Sequence, residues 1–550
     1  MQQRRRVLVV GFDGAPLGLV NRLVQERRMP TLGGFAAKGV QGPLRSTLPP
    51  QSLPAWPSFA TGMNPGKHGI YSFFKLEPGR YDIRPFRSED IRGMAIWDYL
   101  SSLGHRSILV NVPLTYPPYE IKGAMVSGFP APPGPPEGDE LRCFPESLAE
   151  ELRAIAPRYK VDPQAGPRPK DDKLLAIINQ VLEQRAKVVL HLLKDESWEL
   201  FIVVFTCSDR IEHSFWRHID PHHPASTPEG RRRYGTAIDD FYQALDDILG
   251  SMLKIVGDST TTIVLSDHGH TSQIAHVGVN QLLAEVGALD YSRIHYRLTK
   301  DGLQDTLASL GLLRLAKKMI PKRVRSAIPL GIDFSKATAY CYRFGAININ
   351  LEGRDPQGTV RKEDYEVVRN GLAKSLMSYK CPMGEPLIEK IYKREEIYWG
   401  DRLDLAPDIL AIFRDGYGPR SWNATGEAIQ PIDSSQFDLS RCVLECGGHH
   451  WFSTMEGIFF ANGSAIKQGA TIVGAEIIDI APTILHVLSL PIPNNMDGKV
   501  LSIFEPSSEP ALRSIQHTSA LSTEGPKASP WSPEEERAVM KRLADLGYTG

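Results

Sequence analysis

Three aspartates are candidates for metal ligation because each follows a short apolar stretch that predicts a buried strand. These stretches and their aspartates are Val7–Val10 with Asp13, Leu200–Phe205 with Asp209, and Thr261–Leu265 with Asp267. In open α/β sheets, ligands bind outside the carboxyl ends of the strands, so three such aspartates can converge on one crevice. A single aspartate there usually caps a helix or forms a turn. Three, two of them with histidine companions, favour a metal site.

Histidines accompany two of these aspartates and occur once more near the end of the chain. Asp209 and His213 are four residues apart, so one helical turn places both side chains on one face. His268 directly follows Asp267 in a glycine-containing loop, where adjacent side chains can serve two different sites. His449 follows two glycines ahead of a predicted strand. Imidazole nitrogen and carboxylate oxygen are both good ligands of Zn²⁺, so this set predicts a zinc centre.

Ser52 is the candidate nucleophile. It lies in a proline-rich turn just before a predicted short helix, Ala55–Thr61. A helix N-terminus offers unsatisfied N–H groups and a partial positive charge, which suit an incoming phosphate. Taken alone, such a serine is most often an N-cap. A metal in contact with its hydroxyl would lower the hydroxyl pKa and activate it as a nucleophile.

Two commoner phosphate-binding motifs are not matched. The segment Gly62–His68 has one residue too few between its glycines for a P-loop, and its lysine is followed by histidine. The segment Gly11–Gly14 lacks the third glycine of the dinucleotide-binding fingerprint. A Rossmann cofactor site is therefore not expected.

The elements that must position these side chains predict an α/β fold. Short β-rich apolar stretches alternate with longer helical patterns, which predicts a mostly parallel central sheet flanked by helices. The further predicted strands are Ser107–Val112, Asp408–Phe413 and Gly457–Ala461. The predicted helices are Asp171–Leu193, Gly235–Ile255, Arg361–Ser378, Ile477–Leu490 and Pro533–Leu546.

Composition excludes several classes of protein. The 550 residues are 42% hydrophobic and 23% charged, which is typical of a globular protein with a sizeable core. The net charge of −1 gives no global attraction to nucleic acid or to an anionic membrane, so no nucleic-acid binding is expected. Six cysteines are too few for a disulfide framework. No apolar stretch reaches the ~18–20 residues of a membrane span, and no signal peptide is predicted. We therefore predict a cytoplasmic location.

The domain prediction is one core with additions. The core spans 1–506 and includes a cap-like insertion around 270–345. A polar linker, 507–532, precedes a C-terminal helix within 533–550. Within the insertion, Leu312–Ile328 is basic and amphipathic. It could dock on a membrane surface or a partner, but a solvated helix pair is the favoured interpretation.

Taken in order, the motifs resemble the alkaline phosphatase superfamily, specifically its type I phosphodiesterase/nucleotide pyrophosphatase branch. The similarity is greatest to bacterial and archaeal members described as predicted phosphohydrolases or phosphomutases, and it extends from Val7 to about Phe504. The motifs that carry it are Gly11-Phe12-Asp13-Gly14, Ser52–Gly62, Asp209-x-x-x-His213, Ser266-Asp267-His268-Gly269, Gly447-Gly448-His449 and Asp479–Leu485.

The resemblance implies an alkaline phosphatase-like fold with two zinc ions, Mn²⁺ being the alternative metal. The implied ligand sets are Asp209, His213 and His449 for one ion, and Asp13, Asp267, His268 and Ser52 for the other. Three carboxylates and an alkoxide carry about −4, which two divalent ions balance. The Gly-x-His pattern favours His449 over His450 as the ligand, and His270 is expected to lie outside the ligand sets.

The resemblance also implies hydrolysis of a phosphate diester or pyrophosphate through a phosphorylated Ser52. Alternatives are a phosphomutase that uses the same intermediate and a non-catalytic binding protein on the same fold. Nucleotide pyrophosphatases have an asparagine downstream of the nucleophile, where this chain has Tyr71 and Phe73. Nucleotide specificity therefore stays open, as does the oligomeric state. The expected partner is a small phosphate ester.

Overall fold

The computed structural model describes residues 5–77, 79–135, 137–163, 170–195, 197–290, 332–420, 428–432, 446–520 and 530–546. The predicted basic segment Leu312–Ile328 lies outside these ranges. No helix within them is long and apolar enough to cross a membrane.

The strands are numbered here in chain order within the described residues. They are β1 Val7–Phe12, β2 Val40–Arg45, β3 Phe74–Leu76, β4 Ile83–Pro85, β5 Ser107–Val110, β6 Gly123–Val126, β7 Cys143–Phe144, β8 Leu200–Phe205, β9 Thr261–Leu265, β10 Thr271–Ser272, β11 Ala275–Gly278, β12 Ala339–Arg343, β13 Ala346–Ile349, β14 Ile388–Lys393, β15 Ile409–Phe413, β16 Tyr417–Arg420, β17 Ile429–Pro431, β18 Gly447–Gly448, β19 Glu456–Asn462, β20 Ala470–Thr471, β21 Ala475–Glu476, β22 Ile492–Pro493 and β23 His517–Thr518.

The α-helices are numbered in the same way. They are α1 Leu17–Gln25, α2 Pro30–Ala37, α3 Ser52–Thr61, α4 Pro65–His68, α5 Ile96–Ser102, α6 Leu148–Ile155, α7 Asp171–Leu192, α8 Cys207–Ile219, α9 Pro228–Tyr234, α10 Ala237–Val256, α11 Val279–Glu285, α12 Tyr365–Met377, α13 Arg394–Ile397, α14 Ile480–Val487, α15 Glu509–Leu512 and α16 Pro533–Asp545. Short 3₁₀ turns lie at Ser88–Asp90, Lys362–Asp364, Leu403–Leu405, Phe452–Thr454 and Ile477–Asp479.

The central sheet confirms the predicted α/β fold. Its strand order is β20-β2-β19-β9-β1-β8-β5-β6-β7, with β21 also paired to β2. Strand β1 is parallel to both β8 and β9, while β19 is antiparallel to β9. Every residue of β1 is buried, as expected of a parallel strand covered on both faces. Its side chains alternate: Leu8 and Val10 face one core, and Val7 and Val9 face the other.

The predicted strand at Asp408–Phe413 corresponds to β15 but does not belong to the central sheet. Strand β15 lies in a separate antiparallel sheet of order β12-β13-β15-β14. A buried apolar stretch indicates a strand but does not show which sheet the strand joins. The sequence pattern therefore could not distinguish the central sheet from the separate antiparallel sheet. Strands β10 to β18 lie in sequence between β9 and β19 of the central sheet, and we call the described residues within 271–448 the inserted region. The cap-like insertion around 270–345 stays a prediction.

The C-terminal segment packs against the core. Within the predicted linker 507–532, β23 pairs with β22, and residues 521–529 lie outside the described ranges. Helix α16 lies where the terminal helix was expected. Its buried Arg542 donates hydrogen bonds to the carbonyls of Ala131 at 3.0 Å and Asp162 at 2.8 Å.

One prediction concerns the contact between α10 and α2. The buried Asp246 carboxylate accepts hydrogen bonds from the backbone N–H groups of Thr31 and Leu32, both at 2.8 Å, at the start of α2. Asp246→Ala would leave both donors without this partner, and we expect it to lower the free energy of unfolding by about 2–4 kcal/mol. Urea denaturation measures this.

The matched control is Asp247→Ala, since the neighbouring Asp247 is exposed. Its effect should stay within about 0.5 kcal/mol. Equal effects of the two substitutions would contradict a capping role for Asp246.

Candidate active site

The three aspartates that follow strands lie together at one edge of the central sheet. Phe12 pairs with Phe205 and Gly11 pairs with Leu265, so β1, β8 and β9 end side by side. Asp13, Asp209 and Asp267 follow these ends, and at most 2% of each residue is exposed. The strand register therefore brings three carboxylates into one buried space.

Gly14 allows the chain to turn tightly between these carboxylates. Its φ of +73° lies in the left-handed region, and a Cβ there would be 3.1 Å from Asp209 Oδ1. Its backbone N–H donates to Asp267 Oδ1 at 3.1 Å. A side chain at this position would strain the backbone and press on a carboxylate of the site.

One cluster contains Asp13, Asp267 and His268, whose ligand atoms lie within 4.8 Å of one another. His268 Nε2 is 3.3 Å from Asp267 Oδ2 and 3.9 Å from Asp13 Oδ1. The Ser52 hydroxyl donates to Asp13 Oδ1 at 3.1 Å and lies 3.4 Å from His268 Nε2. Trp56 Nε1 donates to the other oxygen of Asp13 at 3.1 Å and orients that carboxylate.

Asp209 is at the centre of the remaining imidazoles. Its Oδ1 lies 3.4 Å from His213 Nε2, 3.6 Å from His270 Nδ1 and 3.9 Å from His449 Nε2. Two compact sets of ligand atoms share it: Asp209 with His213 and His270, and Asp209 with His268 and His449. Among the described residues, the expected trio of Asp209, His213 and His449 is not one of the compact sets.

Backbone carbonyls orient three of the four histidines. The Nδ1 atoms of His213, His268 and His449 lie 2.9, 2.9 and 2.7 Å from the carbonyl oxygens of Gly447, Gly269 and Pro50, respectively. A carbonyl oxygen only accepts, so each Nδ1 carries the proton. Each ring then turns its Nε2 towards the carboxylates, and the carbonyl at Nδ1 is the usual outer support of a metal-binding histidine.

Burial and like charges make this group of side chains unfavourable without a cation. Burial raises the pKa of Asp13, and the neighbouring Asp267 and Asp209 raise it further. Burial also raises the pKa of Asp267. Burial alone would raise the pKa of Asp209, but His213 and Arg210 hold it well below its usual range. Burial lowers the pKa of His449 and keeps its imidazole neutral.

The donor set fits divalent metal ions. Within the described residues, Asp209 Oδ1 and Asp267 Oδ2 are buried and accept no hydrogen bond. A buried carboxylate oxygen without a hydrogen bond is costly unless a cation is near. Carboxylates combined with neutral imidazoles are typical ligands of zinc and of other transition metals.

Ser52 is the first residue of α3, and its hydroxyl does not cap that helix. Gln51 is the N-cap residue, and the Ser52 hydroxyl instead donates to Asp13. The observed helix begins three residues before the predicted Ala55, with a non-helical backbone at Leu53. The N-cap alternative for Ser52 is therefore wrong, and its hydroxyl faces the carboxylate cluster.

Two residues beside the site are not in the implied ligand sets. His270 was predicted to lie outside the ligand sets, yet it belongs to a compact set with Asp209 and His213. Glu212 is fully buried, and its Oε2 lies 3.5 Å from His270 Nδ1. The available signals were the spacing of Glu212 three residues after Asp209 and of His270 two residues after His268.

His450 and the two aromatic residues in the segment after the nucleophile have other partners. The His450 ring stacks on Phe344 at 4.5 Å between ring centroids. The Tyr71 hydroxyl donates to the carbonyl of Arg402 at 2.8 Å, and Phe73 packs edge-on against Phe129.

The comparison with known families agrees with this geometry. The model of the type I phosphodiesterase/nucleotide pyrophosphatase family matches residues 7–428. The chain belongs to this family. No curated protein matches the chain.

Several solved structures share the fold at low sequence identity. Human ectonucleotide pyrophosphatase/phosphodiesterase 5 is 14% identical with a TM-score of 0.50, over 90% of this chain and 97% of that one. A structure of the murine enzyme in complex with AMP is 14% identical with a TM-score of 0.51, over 91% and 100%. Phosphonoacetate hydrolase from Sinorhizobium meliloti 1021, in complex with phosphonoacetate, is 15% identical with a TM-score of 0.53, over 88% and 95%.

A pair of substitutions tests the placement of the late histidines. His449→Ala should weaken zinc binding by more than the ~10–100-fold typical of losing an outer-shell partner, because its Nε2 faces Asp209. His450→Ala should leave zinc affinity near that of the wild type, because its ring stacks on Phe344. Titration against a zinc-chelating dye compares the zinc affinities of the two variants. Equal losses, or the reverse order, would move the ligand to His450.

Proposed function

We propose that this chain hydrolyses a phosphate diester or pyrophosphate at a centre of two divalent metal ions, Zn²⁺ being the favoured metal. The proposed ligands and nucleophile are Asp13, Ser52, Asp209, His213, Asp267, His268 and His449. Membership of a phosphodiesterase family supports the class of reaction. The compact sets of carboxylate and imidazole atoms support metal dependence.

The observation that carries the proposal is the position of the Ser52 hydroxyl. It is hydrogen-bonded to Asp13 and lies 3.4 Å from His268 Nε2, so it directly adjoins one complete set of metal ligands. It also lies just before the regular part of α3, which follows the non-helical Leu53, and a helix N-terminus favours an anionic group. A serine with only a structural role would require neither the contact with the candidate metal ligands nor the place beside a helix N-terminus.

The proposed reaction has two displacements at phosphorus, the first by the Ser52 hydroxyl and the second by water. The Ser52 hydroxyl directs its proton to Asp13 Oδ1 and keeps an oxygen lone pair for attack on phosphorus. The Oγ–phosphorus bond forms as the bond from phosphorus to the leaving oxygen breaks. A water molecule then attacks the phosphorylated serine and restores its hydroxyl, releasing phosphate or a phosphate monoester. Bound divalent ions would neutralise charge on the phosphoryl oxygens and on the leaving group.

The inserted region contacts the segments on either side of the nucleophile helix. The Tyr398 hydroxyl donates to the carbonyl of Leu48 at 2.7 Å, and the backbone N–H of Trp399 donates to Asn64 Oδ1 at 3.4 Å. The ligands named for two similar structures, AMP and phosphonoacetate, are small phosphorus-containing anions, which supports a small substrate here.

The phosphomutase alternative uses the same phosphorylated Ser52 but returns the phosphoryl group to the substrate. Nitrophenyl phosphate monoesters, diesters and nucleotide-like pyrophosphates, each assayed with Zn²⁺ and with Mn²⁺, separate the two. Hydrolysis of diesters or pyrophosphates supports the proposal. Positional isomerisation of a sugar phosphate without release of phosphate would favour the mutase. The cytoplasmic location stays a prediction.

Substitution of the nucleophile tests the mechanism. Ser52→Ala should retain metal but lose turnover by several orders of magnitude, on the order of 4–8 kcal/mol in the barrier. The matched control is Ser58→Ala in the same helix, since Ser58 is buried but its hydroxyl pairs with His68 Nε2 at 2.9 Å. We expect this control to change stability more than turnover.

Phosphate on Ser52 should be detected by mass spectrometry after an acid quench of the wild type. A Ser52→Ala enzyme with nearly normal turnover would rule out the covalent mechanism. A wild type that binds metal but hydrolyses no member of the panel would contradict the proposed function as a whole.

A further inference from the structure

His270 is a buried imidazole beside the site that the implied ligand sets leave out. Its side chain is fully buried, and neither ring nitrogen has a hydrogen-bond partner within the described residues. A buried polar group without a hydrogen-bond partner is unfavourable, and here one ring contributes two such atoms. The buried His270 ring therefore needs a binding partner other than a hydrogen-bonding group of the described residues.

Two carboxylate oxygens lie near His270 Nδ1. Asp209 Oδ1 lies at 3.6 Å and Glu212 Oε2 at 3.5 Å, and both oxygens are buried without a hydrogen bond among the described residues. With ligand–metal distances near ~2.0–2.1 Å, neighbouring ligand atoms around one zinc ion lie about 3.3–3.5 Å apart. The two separations from His270 Nδ1 are close to that spacing, and of the two carboxylates Asp209 is the one that shares a compact set with His270 among the described residues.

Helix α8 presents the other members of the group on one face. Asp209, Glu212 and His213 stand at positions i, i+3 and i+4, which are neighbours on a helix surface. The other oxygen of Glu212 accepts a hydrogen bond from the Tyr242 hydroxyl at 2.8 Å, which fixes the carboxylate and leaves Oε2 towards His270. This is the outer support expected of a ligating carboxylate.

We propose that His270 and Glu212 are ligands of the metal held by Asp209 and His213. This inference rests on the metal centre of the proposed function and extends its ligand set. With His449 of the implied set, two carboxylates and three imidazoles would then surround this metal, one more than the four protein ligands of a typical closed zinc site. The position beside Ser52, with Asp13, Asp267 and His268, is then the one that remains open to substrate.

His270→Ala and Glu212→Gln should each lower the affinity for one of two zinc ions. The measurement is the zinc content per chain, by mass spectrometry of the element, across a series of chelator concentrations. The wild type should lose its two zinc ions at clearly separated chelator concentrations. Each variant should lose one of these ions at a chelator concentration at least about tenfold lower than the wild type needs. The matched control is His276→Ala, another buried histidine, which belongs to none of the compact sets found among the described residues.

A crystal structure of the wild-type chain soaked in Zn²⁺ gives a test that needs no variant. We expect the anomalous peak of a zinc ion about 2.0–2.2 Å from His270 Nδ1 and from Glu212 Oε2. A zinc ion more than about 3 Å from both atoms, or variants with the zinc content of the wild type, would overturn it. A chain that binds zinc through His270 but hydrolyses no phosphate ester would contradict the proposed function and leave this inference standing.

Discussion

The structure depends on holding like charges together away from water. Asp13, Asp209 and Asp267 are almost fully buried at the ends of three adjacent parallel strands. Two such charges about 4 Å apart repel by ~4 kcal/mol at the effective dielectric of a partly solvated protein, and burial adds a desolvation cost. A sheet with three carboxylates at one edge is stable only if cations or protons neutralise them. Divalent metal ions would do so under the proposed function, and they would also attract a phosphate group.

Neighbouring elements fix the orientation of the groups that this constraint brings together. Trp56 holds one oxygen of Asp13 and leaves the other for Ser52, while the backbone N–H of Gly14 holds one oxygen of Asp267. Carbonyl oxygens of Gly447, Gly269 and Pro50, from three separate segments of the chain, fix the tautomers of three histidines. Because each ring then presents its Nε2 atom, less reorganisation is needed when a metal binds.

Much of this arrangement could be predicted from local patterns. An apolar stretch followed by aspartate indicates a strand end, and the spacing of Asp209 and His213 indicates one face of a helix. The sheet assignment of β15 could not be predicted, because a buried strand in either sheet has the same apolar pattern. The place of His270 beside Asp209 depends on the path of the loop after β9, and the orientation of His449 depends on a carbonyl almost 400 residues away in sequence. Such tertiary contacts leave no periodic signal.

The central claim is that the buried carboxylates are neutralised by metal ions rather than by protons alone. Its most direct test is the zinc content of the full chain after equilibrium dialysis, with Asp209→Asn treated in parallel. Asp209 is informative because it belongs to two of the three compact sets of ligand atoms found among the described residues, so its substitution alters both. The account predicts about two zinc ions per wild-type chain and a clear loss in the variant. A wild type that retains no zinc, or a variant that retains as much as the wild type, would contradict it.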